Sequence, residues 1–265
     1  GSQRWISIGP FSLQPSELAK IGIILFLAAY ISSKSREMRQ WKKMVIPFLF
    51  AIPIIVIVGI ENLSTCIILL AISFIMIFVA TPLWVPFVVI GLIGVAGAGG
   101  LLLTQGYRME RITVWLDPAA SEKGHQTIQG LYAIGSGGLF GKGLGQSMQK
   151  LGFLPEANND MIFSVICEEL GLFGALCVLA LFFALIWRFM VIAVNAPDLY
   201  GSMILVGVIA HIGIQVFINI AVATNTIPNT GIPLPFISYG GSSLVFMLLE
   251  MGLVLSVSRY INVKK

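Results

Sequence analysis

Apolar residues fall along the chain in seven blocks, near 17–32, 44–60, 63–80, 83–104, 161–193, 201–223 and 241–258. A helix needs about twenty such residues to cross a ~30 Å hydrocarbon layer, somewhat fewer where charged ends snorkel. The pattern therefore predicts an all-α polytopic transmembrane protein, a single membrane domain over residues 1–265. The fifth block is too long for one untilted crossing, since 33 residues at 1.5 Å rise give about 50 Å. A break near Gly171 or Gly174 is expected, with 161–170 a short helix dipping from one surface and a full span after it. Between the fourth and fifth blocks, residues 105–160 form a polar loop far longer than a turn needs, rich in order-forming side chains such as Trp115, Tyr132 and Phe153.

Composition sharpens this picture. Of the 265 residues, 57% are hydrophobic and 11% charged, against roughly 45–50% and 25% in ordinary globular chains. Mean hydropathy is +0.93, which excludes a disordered chain, a coiled coil and a disulfide scaffold. Cys66, Cys167 and Cys177 lie in apolar runs without metal-ligand spacing and read as small buried hydrophobes. The net charge of +4 matters less than where the charges sit. Lys34, Arg36, Arg39, Lys42 and Lys43 separate the first two blocks, and Arg259, Lys264 and Lys265 close the chain. Positive charge marks the cytoplasmic side, so residues 1–16, the 105–160 loop and the 225–240 loop are predicted to face outward. The absence of an initiator Met, a signal peptide and a soluble domain reads as part of a longer membrane protein.

The candidate chemistry lies at the outer ends of the spans. Asp160 stands where a polar loop enters an apolar helix and fits two roles: a cap that gains from the helix dipole, or a general base. Glu168 and Glu169 follow roughly 12 Å deeper along that helix, where an unpaired carboxylate costs several kcal/mol and a partner is required. Lys20, one turn after Pro15-Ser16-Glu17, reads either as a snorkelling lysine paired with Glu17 or as a ligand for a lipid phosphate. Arg4-Trp5 suits an interfacial anchor, and Arg108 and Arg111 are either ordinary loop charges or pyrophosphate clamps. Residues 136–147 hold five glycines, but Gly141-Lys142 is not followed by Ser or Thr, so a nucleotide loop is rejected in favour of a sharply bent turn or a sugar- or phosphate-approaching backbone. The segment Asn229 to Ser243 mixes Pro, Gly and hydroxyls, including Ser238 and Ser242, and predicts a re-entrant turn bonded through its serines. His211, Asn219 and Asn225 are expected to bond between helices. Glu250, in the middle of the last block, has no partner that the sequence identifies.

Five segments in order resemble the SEDS family (shape, elongation, division and sporulation). They are Arg4-Trp5-Ile6 with Gln14-Pro15-Ser16-Glu17-Leu18-Ala19-Lys20; Ser136-Gly137-Gly138-Leu139-Phe140-Gly141; Leu154-Pro155-Glu156 with Asp160; Glu168-Glu169-Leu170-Gly171; and Pro235-Phe236-Ile237-Ser238-Tyr239-Gly240-Gly241-Ser242-Ser243. Gly143-Leu144-Gly145-Gln146-Ser147 is closer to the division and sporulation branches, FtsW and SpoVE, than to the elongation branch, RodA. The resemblance implies ten helices in the family, of which this chain would hold the last seven. It also implies a peptidoglycan glycosyltransferase that polymerises lipid II in the bacterial cytoplasmic membrane and releases undecaprenyl pyrophosphate. Asp160 would be the catalytic base, and Arg4, Trp5, Lys20, Arg108, Arg111, Glu168, Glu169, Ser238 and Ser242 would contact substrate. Lipid II, a class B penicillin-binding protein and other division or elongation membrane proteins would be the partners, with no nucleic acid. No resident cofactor is called for, with a divalent cation (Mg or Mn) as an optional aid at the pyrophosphate. The chain departs from the family pattern at Asn158-Asn159, where a His-Thr pair is common, and at Glu61-Asn62-Leu63-Ser64-Thr65, where Pro-Asp-Leu-Gly-Thr is frequent. A lipid II flippase and a non-catalytic scaffold are the competing readings.

Overall fold

The computed structural model describes residues 6–8, 11–81, 87–89, 106–121 and 124–261, with scattered positions (91, 92, 94, 97, 99 and 100) between. Most of the expected span at 83–104 lies outside the described residues, which here are 87–89 and those scattered positions. Six helices among the described residues are long and apolar enough to cross a membrane: Pro15–Ser33, Lys43–Glu61, Leu63–Ala80, Ile162–Val194, Leu199–Ala223 and Gly241–Arg259. The protein is a multi-pass, all-α membrane protein, with one short antiparallel hairpin, β1 (Ile6–Ile8) and β2 (Phe11–Leu13), ahead of the first helix.

The chain forms two compact units. The first comprises residues 1–90, 185–214 and 240–265; the second comprises 91–184 and 215–239. In the first unit, α1 (Pro15–Ser33) begins with a proline in its first turn, where the missing N–H has no partner to lose, and with Glu17 at its positive end. Its Ile23, Ile24, Leu27 and Ile31 are fully buried. The next helix, α2 (Trp41–Glu61), carries Pro47 and Pro53 in its interior. It leaves Phe50, Ile57 and Ile60 exposed, the apolar face that lipid would cover. The following helix, α3 (Leu63–Ala80), is capped by Asn62, whose side chain accepts from the Thr65 N–H at 3.3 Å.

The fifth apolar block is a single merged helix, α6 (Ile162–Val194), interrupted at Gly171 (φ 66°, ψ −166°). That backbone conformation is open essentially to glycine alone. The 105–160 region, expected as an irregular ordered loop, contains two helices of its own, α4 (Gly106–Leu116) and α5 (His125–Ser136). After α6 come α7 (Leu199–Ala223) and α8 (Gly241–Arg259).

Within the first unit the structure supplies Glu250 with its partner. His211 Nδ1 lies 2.9 and 3.0 Å from the two carboxylate oxygens, and both residues are fully buried. Burying an acid in this way is tolerable only with such a partner. No composition or periodicity argument finds it, because the two residues are 39 positions apart.

Candidate active site

The break in α6 is made by the glycine-rich segment. At Gly171 the helix loses its i to i−4 bonds, and residues 138–143 insert in their place. Lys142 and Gly143 donate their N–H groups to the carbonyls of Glu168 and Glu169, and the Leu172 and Phe173 N–H groups donate to the carbonyls of Gly138 and Leu139, all at 2.9–3.0 Å. Two carbonyls and two N–H groups at the kink are thus paired with the inserted segment, as an apolar setting demands. The two strands of chain come so close that a Cβ on Gly141 would sit 2.2 Å from the Glu169 carbonyl oxygen, and one on Gly171 would sit 2.4 Å from the Gly141 nitrogen. The bent-turn alternative for this segment is the one the backbone adopts.

Glu168 and Glu169 hold the rest of the same loop. Glu168, with no exposed surface, accepts from Lys142 Nζ at 2.6 Å, Ser147 Oγ at 2.5 Å and the Met148 and Gln149 N–H groups at 3.3 Å. Glu169 accepts from Lys150 Nζ at 2.5 Å and from the Gly145 and Ser147 N–H groups. Both carboxylates have the partners that burial requires. Each would have to release several bonds before it could bind a substrate.

Asp160 is treated differently. The turn that carries it is set by Glu156 in the left-handed region (φ 54°), whose carbonyl accepts from the Asn159 and Met161 N–H groups. The aspartate is buried, and its Oδ1 accepts one bond from another side chain, Gln126 Nε2 of α5, at 3.3 Å. Oδ2 lies against Gly231, where a Cβ would come within 3.8 Å. Burial, reinforced by the Glu156 charge, pushes the carboxyl up to about 6; its backbone bond, Gln126 and Arg111 pull the other way. A carboxyl in that range is ionised at neutral pH and is basic enough to take up a proton.

The 225–240 loop packs around this turn. Asn219 of α7 donates to the carbonyls of both Asp160 and Ile232 at 2.8 Å, tying the two segments through one amide. Gln215, one turn earlier, donates to the Pro233 carbonyl. Ser238 Oγ donates to the Asn159 carbonyl at 2.6 Å and accepts from the Leu234 N–H, and the Tyr239 N–H donates to the Asn158 carbonyl. The serine-bonded turn expected from sequence therefore exists, and its serine also grips the aspartate turn. Asn225 and Trp115 exchange bonds with each other's backbone carbonyls.

The remaining candidates are spread out. Arg111 is exposed and donates to the Asn229 carbonyl at 3.0 Å, which holds its guanidinium near enough to influence Asp160. Arg108 lies in α4, but its side chain is outside the description, as are Arg4 and Trp5. Lys20 and Ser242 belong to the first unit. Lys20 is buried against Glu17 at 2.8 Å, the pairing that one reading of the sequence anticipated. Ser242 Oγ is buried with no partner among the described residues. The residues that sequence reasoning missed are Gln126 and Asn229, which contact the aspartate directly and at one remove; the Asn229-Thr230-Gly231 turn signature was the only hint. Among the described residues no three His, Cys, Asp or Glu side chains converge as metal ligands.

A polytopic helical membrane protein whose polar side chains gather around one buried, basic carboxylate at the entrance to a broken helix is the class these features define. The chain belongs to the FtsW/RodA/SpoVE family of cell cycle proteins, whose pattern matches residues 1–263. It is 48% identical over 266 residues to stage V sporulation protein E of Bacillus subtilis (strain 168), covering 98% of this chain and 72% of that protein. It is 37% identical over 262 residues to a probable peptidoglycan glycosyltransferase FtsW of Geobacter sp. (strain M18), covering 97% and 71%. Among solved structures, it matches one describing the structural coordination of polymerization and crosslinking by a peptidoglycan synthase complex, with a TM-score of 0.80 at 28% identity over 99% of this chain and 75% of the other. It also matches the rod shape determining protein RodA of Thermus thermophilus, with a TM-score of 0.69 at 30% identity over 99% and 71%.

Proposed function

We propose that this chain is the catalytic portion of a peptidoglycan glycosyltransferase that polymerises lipid II at the outer face of the bacterial cytoplasmic membrane. The observation that carries the proposal is the state of Asp160: buried, raised to about 6, with a single side-chain donor, Gln126, on Oδ1 and with Oδ2 beside Gly231. Glycosyl transfer with inversion needs a base for the acceptor sugar's 4-hydroxyl. As that proton moves to Oδ2, the hydroxyl oxygen bonds to C1 of the donor sugar and the C1–O bond to pyrophosphate breaks. Undecaprenyl pyrophosphate leaves with the bonding pair. Arg111, exposed and anchored by one of its donors, would meet the leaving negative charge, a task that suits a guanidinium. Arg4, Trp5, Lys20, Arg108 and Ser242 remain proposed contacts of the lipid-linked substrate. A divalent cation would be an aid rather than a requirement.

The relatives point the same way, through an FtsW named as a probable peptidoglycan glycosyltransferase and a solved peptidoglycan synthase complex. A class B penicillin-binding protein that cross-links the new strands is the proposed partner. The test is polymerisation of labelled lipid II by the full-length protein with that partner, resolved on a gel, for wild type and Asp160→Asn at matched expression and folding. Strand synthesis should fall by roughly 10²–10⁴-fold in the mutant, the usual contribution of a positioned base. Unchanged strands would remove Asp160 from the chemistry.

A further inference from the structure

The carboxylate is not held by Gln126 alone. Gln126 has an amide with a donor end and an acceptor end, and only one orientation suits Asp160. Asn229 fixes that orientation: its Nδ2 donates to Gln126 Oε1 at 2.9 Å, which turns the Gln126 NH₂ toward Asp160 Oδ1. Asn229 is itself immobilised at both ends, its carbonyl accepting from Arg111 Nη1 and its Oδ1 from the Gly231 N–H, each at 3.0 Å. Three of these bonds form one directed chain from α4 through the 225–240 loop and α5 to the aspartate, and the Gly231 bond braces its middle.

We propose that Gln126, oriented by Asn229, is a positioning residue of the transfer reaction: it occupies Oδ1 of Asp160 as a neutral donor, leaves Oδ2 as the proton acceptor, and sets the pH at which the base becomes competent. The inference rests on the reading of Asp160 as the base. A donor to the ionised carboxylate favours the charged form, so it partly offsets the burial that raises this group. The charged groups bearing on the same carboxylate are Glu156 of its own turn, which opposes ionisation, and Arg111 of α4, which favours it. Gln126 differs from both in being neutral and in direct contact, so it tunes the base without neutralising it. A lysine or arginine there would form an ion pair and depress the basicity that the reaction needs.

The experiment is the pH dependence of kcat/KM for lipid II polymerisation by the full-length protein with its penicillin-binding partner, between about pH 5 and 8.5, where the acid limb reports the free enzyme's essential base. In Gln126→Leu the donor is gone and the acid limb should move up by roughly one pH unit, so that activity on that limb falls about tenfold. Gln126→Glu keeps the size and the Asn229 contact but sets a second carboxylate against Asp160, and should move the limb up by at least as much. It also serves if the leucine variant fails to fold. Asn229→Ala frees the Gln126 amide to turn, and should shift the limb in the same direction by less. Variants that are slower but keep the wild-type acid limb would show that Gln126 only fills space, and would overturn the inference. Asp160→Asn run in parallel separates the two claims: if it retains full activity the base itself is misassigned, whereas an inactive Asp160→Asn beside unshifted Gln126 profiles refutes only the relay.

Discussion

Three acids stand within ten residues of each other at the start of α6, and the structure treats them in opposite ways. Glu168 and Glu169 are saturated, each with a lysine and with backbone N–H groups of the glycine-rich loop. Asp160, more buried than Glu169, has one amide donor from a side chain and a second acid, Glu156, close enough to oppose its charge. A carboxylate whose lone pairs are all engaged is a structural tie. One left short of partners holds free energy against ionisation, and that is what makes it a base.

The contrast is broken most severely at Lys142. Lys142→Met would leave Glu168 buried without its cation, a loss of about 3–5 kcal/mol, seen as a large fall in the detergent melting temperature or failure to express. Next comes Asp160→Asn, with the opposite sign. A folded-state value of about 6 against an ordinary 3.8 means that the protonated carboxyl's contribution is fully present below about pH 3.8 and is lost as pH rises through about 6. At pH 7 the ionised group therefore costs about 3 kcal/mol. The asparagine variant should melt higher than wild type at about pH 7.5, with the gap closing as pH falls toward 4, and equal melting temperatures across that range would mean that the aspartate is not strained. The smallest effect is expected at Lys150. Glu169 is partly exposed where Glu168 has no exposed surface, so Lys150→Met should cost about 1 kcal/mol. A loss as large as that of Lys142→Met would show the two glutamates to be equivalent.

Much of this site was legible in the residue order. Asp160 at a polar-to-apolar boundary, two glutamates deep in a span, and a helix too long for one crossing each demanded an explanation, and the kink falls at one of the two glycines named for it. The lysines that answer Glu168 and Glu169 were not legible, because Lys142 and Lys150 are 26 and 19 residues away and carry no periodic signal. Gln126 was invisible for a related reason. A glutamine near the start of a short helix is an ordinary residue until a loop about a hundred positions later supplies the asparagine that orients it.

Hydrophobic blocks and helix length determine spans locally, since each backbone N–H in lipid must be satisfied within its own helix or barrel. The sequence alone was therefore enough to establish an all-helical membrane protein, a break in its fifth apolar block and the acids that needed partners. Which acid would be neutralised and which left basic depended on side chains brought together from distant positions. Only the packing of the glycine-rich loop into the α6 break, and of the 225–240 loop around the Asp160 turn, decided it, because desolvation and hydrogen bonding act through space and leave no mark on the order of residues.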